Sequence, residues 1–206
     1  MRSIDWNQHY ESGHPPWESS GHPSSELARV ITAEKISPCR TLELGCGSGI
    51  NAVWLAQQGF HVTAVDFNEL AVTRARQRAA DAKVSVRFLQ ADVLNFPPGF
   101  ENEQGFEPFP FFFDRGCYHA VREIGAAAYV RTLLRLTAPR ALGLILTGNA
   151  KEPQVPGPPV VSEEQFHAEL EPDFEIVRLR EFRFDEPQAA GPGPLAWSCL
   201  LRRRGK

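Results

Sequence analysis

The sequence predicts one α/β domain built on a doubly wound, mostly parallel sheet. Short apolar runs at 40–44, 61–66, 111–114 and 141–147 alternate with longer stretches of helical periodicity. Two late runs, 175–184 and 195–203, alternate apolar and polar residues and predict an antiparallel pair. The chain has 206 residues, 42% of them hydrophobic and 23% charged, which suits a single globular domain spanning 1–206.

Residues 1–25 are polar and turn-rich yet carry Trp6, Tyr10 and Trp17, so they read as an arm that packs onto the domain. Leu27, Val30 and Ile31 repeat at helical spacing across 26–36. RTLEL (40–44) is a short buried strand running into a glycine loop. A helix over 50–58 follows and stops at Gly59. HVTAVD (61–66) is the second strand, and Asn68 caps a helix to about Ala82. VSVRFLQAD (84–92) is the third strand. A Pro- and Gly-rich connection (97–110) leads to FFFD (111–114), then to a helix around 125–137 ended by Pro139. ALGLILT (141–147) is the fifth strand and 151–161 a loop. Ser162 with Gln165 forms a capping box for a helix to about Leu170.

The formal net charge of −3 lacks the basic excess of most nucleic-acid binders, and the basic run Arg202, Arg203, Arg204 and Lys206 reads as a solvated tail. No window reaches the roughly 18 apolar residues of a membrane span, and the first residues lack the apolar core of a signal peptide. A cytoplasmic location is the expectation. The four cysteines have no C-x-x-C spacing, so neither a zinc site nor a disulfide framework is expected.

In a doubly wound sheet, ligands bind beyond the carboxyl ends of the strands. The first such end reads ELGCGSG (43–49). Gly45, Gly47 and Gly49 let the backbone turn and a ligand approach, and Cys46 and Asn51 flank the same turn. A dinucleotide fingerprint needs a third glycine at position 50, which is Ile50. Glu43 before the loop suits a cationic ligand, such as the amino group or sulfonium of S-adenosylmethionine. Asp66 ends the second strand about 20 residues on, where a carboxylate accepts from ribose hydroxyls, with Asn68 just beyond. Asp92 ends the third strand and is placed to accept from the adenine amine, with Phe67 and Val93 around the ring. Asp114 ends the fourth strand in FDRG (113–116), near the reacting methyl. It positions either the acceptor or the methionine amine. Arg115 pairs with Asp114, pairs with an outer carboxylate, or forms a structural ion pair. His119, Tyr118 and His22 are the candidate bases, and Cys117 reads as a packing residue.

These motifs resemble the class I S-adenosylmethionine-dependent methyltransferases: ELGCGSG their first motif, Asp66 the acid of the second, ADV (91–93) the third and FDRG the fourth. The resemblance covers about 26–150. It implies a Rossmann-like, seven-stranded, mostly parallel sheet with one antiparallel strand near the edge. W-x-x-x-Y (6–10), PPWE (15–18) and GHPSSEL (21–27) are similar to the arm of the thiopurine, thiol/halide and tellurite-resistance methyltransferases. That likeness implies an arm that closes over the cofactor, with Trp17 against it; as a plain reading, Trp17 is a packing anchor.

The resulting expectation is a monomeric or homodimeric enzyme that methylates a small molecule at a soft centre (thiol, selenium or tellurium species, or halide) and releases S-adenosylhomocysteine. It has no nucleic-acid or membrane partner. The acceptor pocket is expected from 9–23, 116–122, 149–160 and 186–195. The rivals are a methyltransferase acting on protein or RNA and a non-catalytic cofactor-binding module.

Overall fold

The computed structural model describes residues 6–13, 15–152, 159–185 and 192–205. Parts of the arm (1–5 and 14), of the expected acceptor loops (153–158 and 186–191) and of the basic run (Lys206) lie outside the described residues.

The chain opens with α1 (Trp6–Glu11) and a 3-10 turn at Pro16–Glu18, then α2 (Ser25–Ala33), capped by the Ser24 side chain. Next come β1 (Arg40–Leu44), α3 (Ile50–Gln57), β2 (His61–Asp66), α4 (Glu69–Asp81) and β3 (Arg87–Gln90). The second half is β4 (Phe109–Arg115), α5 (Cys117–Leu136), β5 (Thr137–Asn149), β6 (Val160–Val161), α6 (Glu163–Leu170), β7 (Phe174–Arg183) and β8 (Leu195–Arg203). Asn68 caps α4 through its side chain, and Ser162 and Gln165 form a full capping box on α6.

Among the described residues, seven strands form one sheet in the order β3-β2-β1-β4-β5-β8-β7, with the short β6 paired to β5. Strand β8 runs antiparallel to both β5 and β7, and the other pairings are parallel. This is the expected architecture. Strand order reverses between β1 and β4, so their carboxyl ends open the crevice where this fold binds ligands. Strand β4 is buried on both faces, as a central parallel strand must be: Phe112 packs with Tyr129, Leu133 and Phe166, while Phe111 and Phe113 pack with Leu27, Leu55 and Val72.

Four details differ from the sequence expectation. The arm contains a helix, α1. Strand β3 is shorter than 84–92. Helix α5 begins at Cys117, not near 125, because the Asp114 carboxylate accepts from the Cys117 and Tyr118 amides and caps it; Gly125 (φ −164°, ψ 49°) interrupts it at the point expected to be its start. Pro139 does not end that helix. It lies inside β5, where the β4 pairing shifts register between Phe109 and Phe111 and Arg140 takes a positive φ. A bulge tolerates proline because it removes one ladder hydrogen bond.

Candidate active site

The carboxyl ends of β1, β2 and β4, together with the arm, enclose a cavity of about 440 Å³. Its floor is the glycine loop after β1, in which Gly45, Gly47 and Gly49 all have positive φ. Asp66 ties this loop to β2: its Oδ2 accepts from the Gly47 amide at 2.9 Å and its Oδ1 from the Asn68 amide at 2.9 Å. The carboxylate still lines the cavity, with lone pairs left for a ligand, and burial pushes its pKa up.

Phe67, Asp92 and Val93 share the wall beside Asp66, with Phe67 52% exposed. Asp92 Oδ1 accepts from the Leu94 amide at 2.8 Å. Cys46 and Asn51 line the loop side, and Asn51 Oδ1 accepts from the Ser24 amide at 2.9 Å. Beneath them Glu43 is only 2% exposed, and its Oε2 has no hydrogen-bond partner among the described residues. Burial, then the neighbouring Asp114 and Asp66 charges, raise its pKa well above the carboxylate range despite a bond from Asn51. A proton or another positive charge is what this spot requires.

The arm forms the roof. Trp17, Trp6 and Tyr10 pack edge to face, and the Trp17 Nε1–H donates to the Tyr10 hydroxyl at 3.3 Å. Glu18 accepts from the Ser48 amide at 2.9 Å and from the Ser48 hydroxyl at 2.5 Å. From the opposite side Arg78 donates to the Ser48 carbonyl at 2.9 Å and hydroxyl at 3.1 Å. A Cβ on Gly47, at φ +55°, would lie 2.7 Å from both Glu18 Oε1 and the Tyr10 hydroxyl, so the arm rests where a side chain would stand.

The far wall carries Arg115, His22, His119, Phe184, Asp185 and Pro194. The Arg115 guanidinium lies 4.8 Å over the Phe184 ring and donates to the Trp17 carbonyl at 3.0 Å. Asp185 holds the start of α2 through the Ser25 amide and hydroxyl.

Five expected site residues stand elsewhere. Asp114 is fully buried outside the cavity wall, its carboxylate used by the Cys117 and Tyr118 amides and the Tyr129 hydroxyl; burial raises its pKa to about 7. It is a helix cap, not a group facing the methyl. Tyr118 points into the core, stacked on Phe166, and its hydroxyl donates to Glu169 beside Arg122, so it is no base for this cavity. Asn68 spends its side chain on the α4 cap and on Asn7. Gly49 is the α3 cap, with Ala75 and Phe88 filling the space a side chain would need. Glu43 lies beneath the wall. The sequence reading did not single out Tyr10, Glu18, Arg78 or Asp185 as site residues. Tyr10 carried a hint as the tyrosine of W-x-x-x-Y (6–10), and Glu18 as the acid next to Trp17 in PPWE.

A family model described as thiopurine S-methyltransferase matches residues 1–193. The 2-heptyl-1-hydroxyquinolin-4(1H)-one methyltransferase of Mycobacteroides abscessus is 30% identical over 152 residues, 72% of this chain and 63% of that protein. The thiopurine S-methyltransferase of Shewanella pealeana is 31% identical over 149 residues, 65% of each chain. The chain therefore spans somewhat less than two thirds of these relatives. Among solved structures, one from work on the conversion of a disulfide bond into a thioacetal group during echinomycin biosynthesis has a TM-score of 0.77. It is 22% identical, and the match covers 100% of this chain and 94% of that one. The family match runs through the arm, the glycine loop and FDRG alike, and the chain belongs to the thiopurine S-methyltransferase family.

Proposed function

We propose that this chain is a methyltransferase that uses S-adenosylmethionine and methylates a small acceptor at a soft centre: a thiol, a selenium or tellurium species, or a halide. The observation that carries the reading is Asp66, a buried carboxylate bonded to the Gly47 amide yet open to a cavity of about 440 Å³. A volume of this size lies within the roughly 300–1,000 Å³ of small-ligand sites.

The residues fit the cofactor. Asp66 accepts from the ribose hydroxyls. Phe67 and Val93 flank adenine, and Asp92 accepts from its amine. Gly45, Cys46, Gly47 and Asn51 line the methionine end, and Trp17 covers it from the arm. Glu43, with its unpartnered oxygen, supplies negative character below a cationic ligand. When bound, S-adenosylmethionine supplies an electrophilic methyl carbon and a neutral thioether leaving group. What the chain contributes is alignment and the exclusion of water by its roof of Trp6, Tyr10 and Trp17.

Family membership and the names of the two relatives, each a small-molecule methyltransferase, support a small acceptor. The far wall of Arg115, Phe184 and Pro194 is its seat. Calorimetry should show binding of S-adenosylmethionine and S-adenosylhomocysteine but not of NADH, and a panel of thiols, halides and oxyanions should release S-adenosylhomocysteine. Preferential NADH binding would sink the reading. Cofactor binding without turnover across the panel would move it to a macromolecular acceptor or a sensor.

A further inference from the structure

His119 sits in the first turn of α5, where the cavity wall passes from Arg115 and Gly116 to Ala120 and Val121. Its Nδ1 accepts a hydrogen bond from the Gly148 amide on β5 at 3.1 Å. A backbone amide only donates, so Nδ1 carries no proton, and the single proton of the neutral ring is on Nε2. Burial, with Arg115 as the contributing charge, holds the pKa down at about 4, and the ring is neutral. The Nε2–Cε1 edge faces Gly116: a Cβ there would lie 3.3 Å from Nε2 and 3.6 Å from Cε1. Gly116 puts no side chain over that edge, and both residues line the cavity.

This geometry opposes the role of base expected for His119. A second proton could only go on Nδ1, where it would face the Gly148 N–H donor to donor, and the resulting cation would sit beside Arg115. The Nε2–H is a donor held in a buried wall, with its direction set by the Gly148 bond.

Resting on the methyltransferase reading, we propose that His119 donates its Nε2–H to the nucleophilic atom of the acceptor, which enters the site already as an anion. The acceptor's lone pair forms the bond to the methyl carbon. The carbon–sulfur bond breaks with its electrons going to sulfur, and no proton moves. Anion and sulfonium become two neutral products. To such an acceptor the site offers a donor and not a base.

Ring nitrogen NMR on the labelled full-length chain tests the donor directly, with His119→Gln identifying the signal among the six histidines. The expected result is an unprotonated Nδ1 and a proton-bearing Nε2 throughout the neutral range. A proton on Nδ1, or titration near the ordinary value of about 6.5, would overturn the proposal. Kinetics with thiophenol and 2-mercaptoethanol test the role. His119→Gln, which keeps an N–H at similar reach, should hold kcat/KM for thiophenol within about threefold, while His119→Phe should lose roughly tenfold or more. The acid limb of the pH profile should be the same in wild type and His119→Gln. Equal collapse of both variants with loss of that limb would make His119 a base, and wild-type kinetics in His119→Phe would remove any role. If the wild type binds no S-adenosylmethionine, the functional reading falls, while the ring NMR still decides the donor assignment.

Discussion

Glu18 holds Ser48 with both carboxylate oxygens, accepting from its amide at 2.9 Å and its hydroxyl at 2.5 Å. The pair joins the arm to the glycine loop that floors the cavity. Arg78 grips Ser48 from the other side, so roof and floor share one residue. Hydrogen bonds of this type, with one partner charged and partly buried, are worth about 1.5–3 kcal/mol each.

The arm should therefore open when either partner is changed. Glu18→Gln and Ser48→Ala should each speed limited proteolysis within the arm, while the double variant adds little to either single one. Additive effects would show that the pair is not the latch. S-adenosylhomocysteine should slow cleavage of the wild-type arm, and equal protection with and without it would separate arm docking from cofactor binding.

Gly47→Ala attacks the same junction from below. Its Cβ would meet Glu18 and Tyr10 at 2.7 Å, and the residue would keep a φ of +55° that costs an L-residue roughly 1–2 kcal/mol. The expected outcome is a released arm and a modest fall in thermal stability. An arm protected as in wild type would mean that the loop, not the arm, gives way.

Asp66→Ala should cut S-adenosylmethionine affinity by on the order of a hundredfold, since it removes a charged acceptor and frees the Gly47 amide. Asp66→Asn should retain more. Calorimetry reads both, and unchanged affinity in Asp66→Ala would end the ribose assignment.

Two buried groups push stability in opposite directions with pH. Asp114 ionises at about 7 in the fold against 3.8 ordinarily, so between those values the folded state holds more protons and stability falls as pH rises. His119 ionises at about 4 against 6.5, so over that window the unfolded state holds more protons and stability rises with pH. Between about pH 4 and about pH 6.5 the two slopes oppose each other. Relative to wild type, the slope of stability against pH should be more positive in Asp114→Asn and more negative in His119→Gln, as read by denaturant titrations. Parallel curves for the two variants would contradict both assignments.

The framework was legible in the sequence because strand patterns and caps are local signals. The runs ending at Leu44 and Asp66, the Asn68 cap and the Ser162–Gln165 box all form where their spacing predicts. What escaped depends on distant partners. FDRG reads as a strand end that offers a carboxylate to a ligand. Only the turn of α5 back over Asp114 and the approach of Tyr129 show that the carboxylate is already spent. Nothing near Glu18 names Ser48, and the His119 tautomer is set by a Gly148 amide on another strand. Pro139 misled for a related reason: its cost inside β5 is absorbed by a bulge visible only in the pairing with β4.

Glu43, buried with one carboxyl oxygen unpartnered among the described residues, has a consequence for heat as well as for binding. Burial and the neighbouring Asp114 and Asp66 charges hold its carboxyl toward the protonated form. A positively charged ligand arriving there would do the proton's work and send it into solvent. Uptake of S-adenosylmethionine should then acidify the medium, and its measured enthalpy should change with the ionisation heat of the buffer. Glu43→Gln, which has no proton to give up, should bind with the same heat in every buffer.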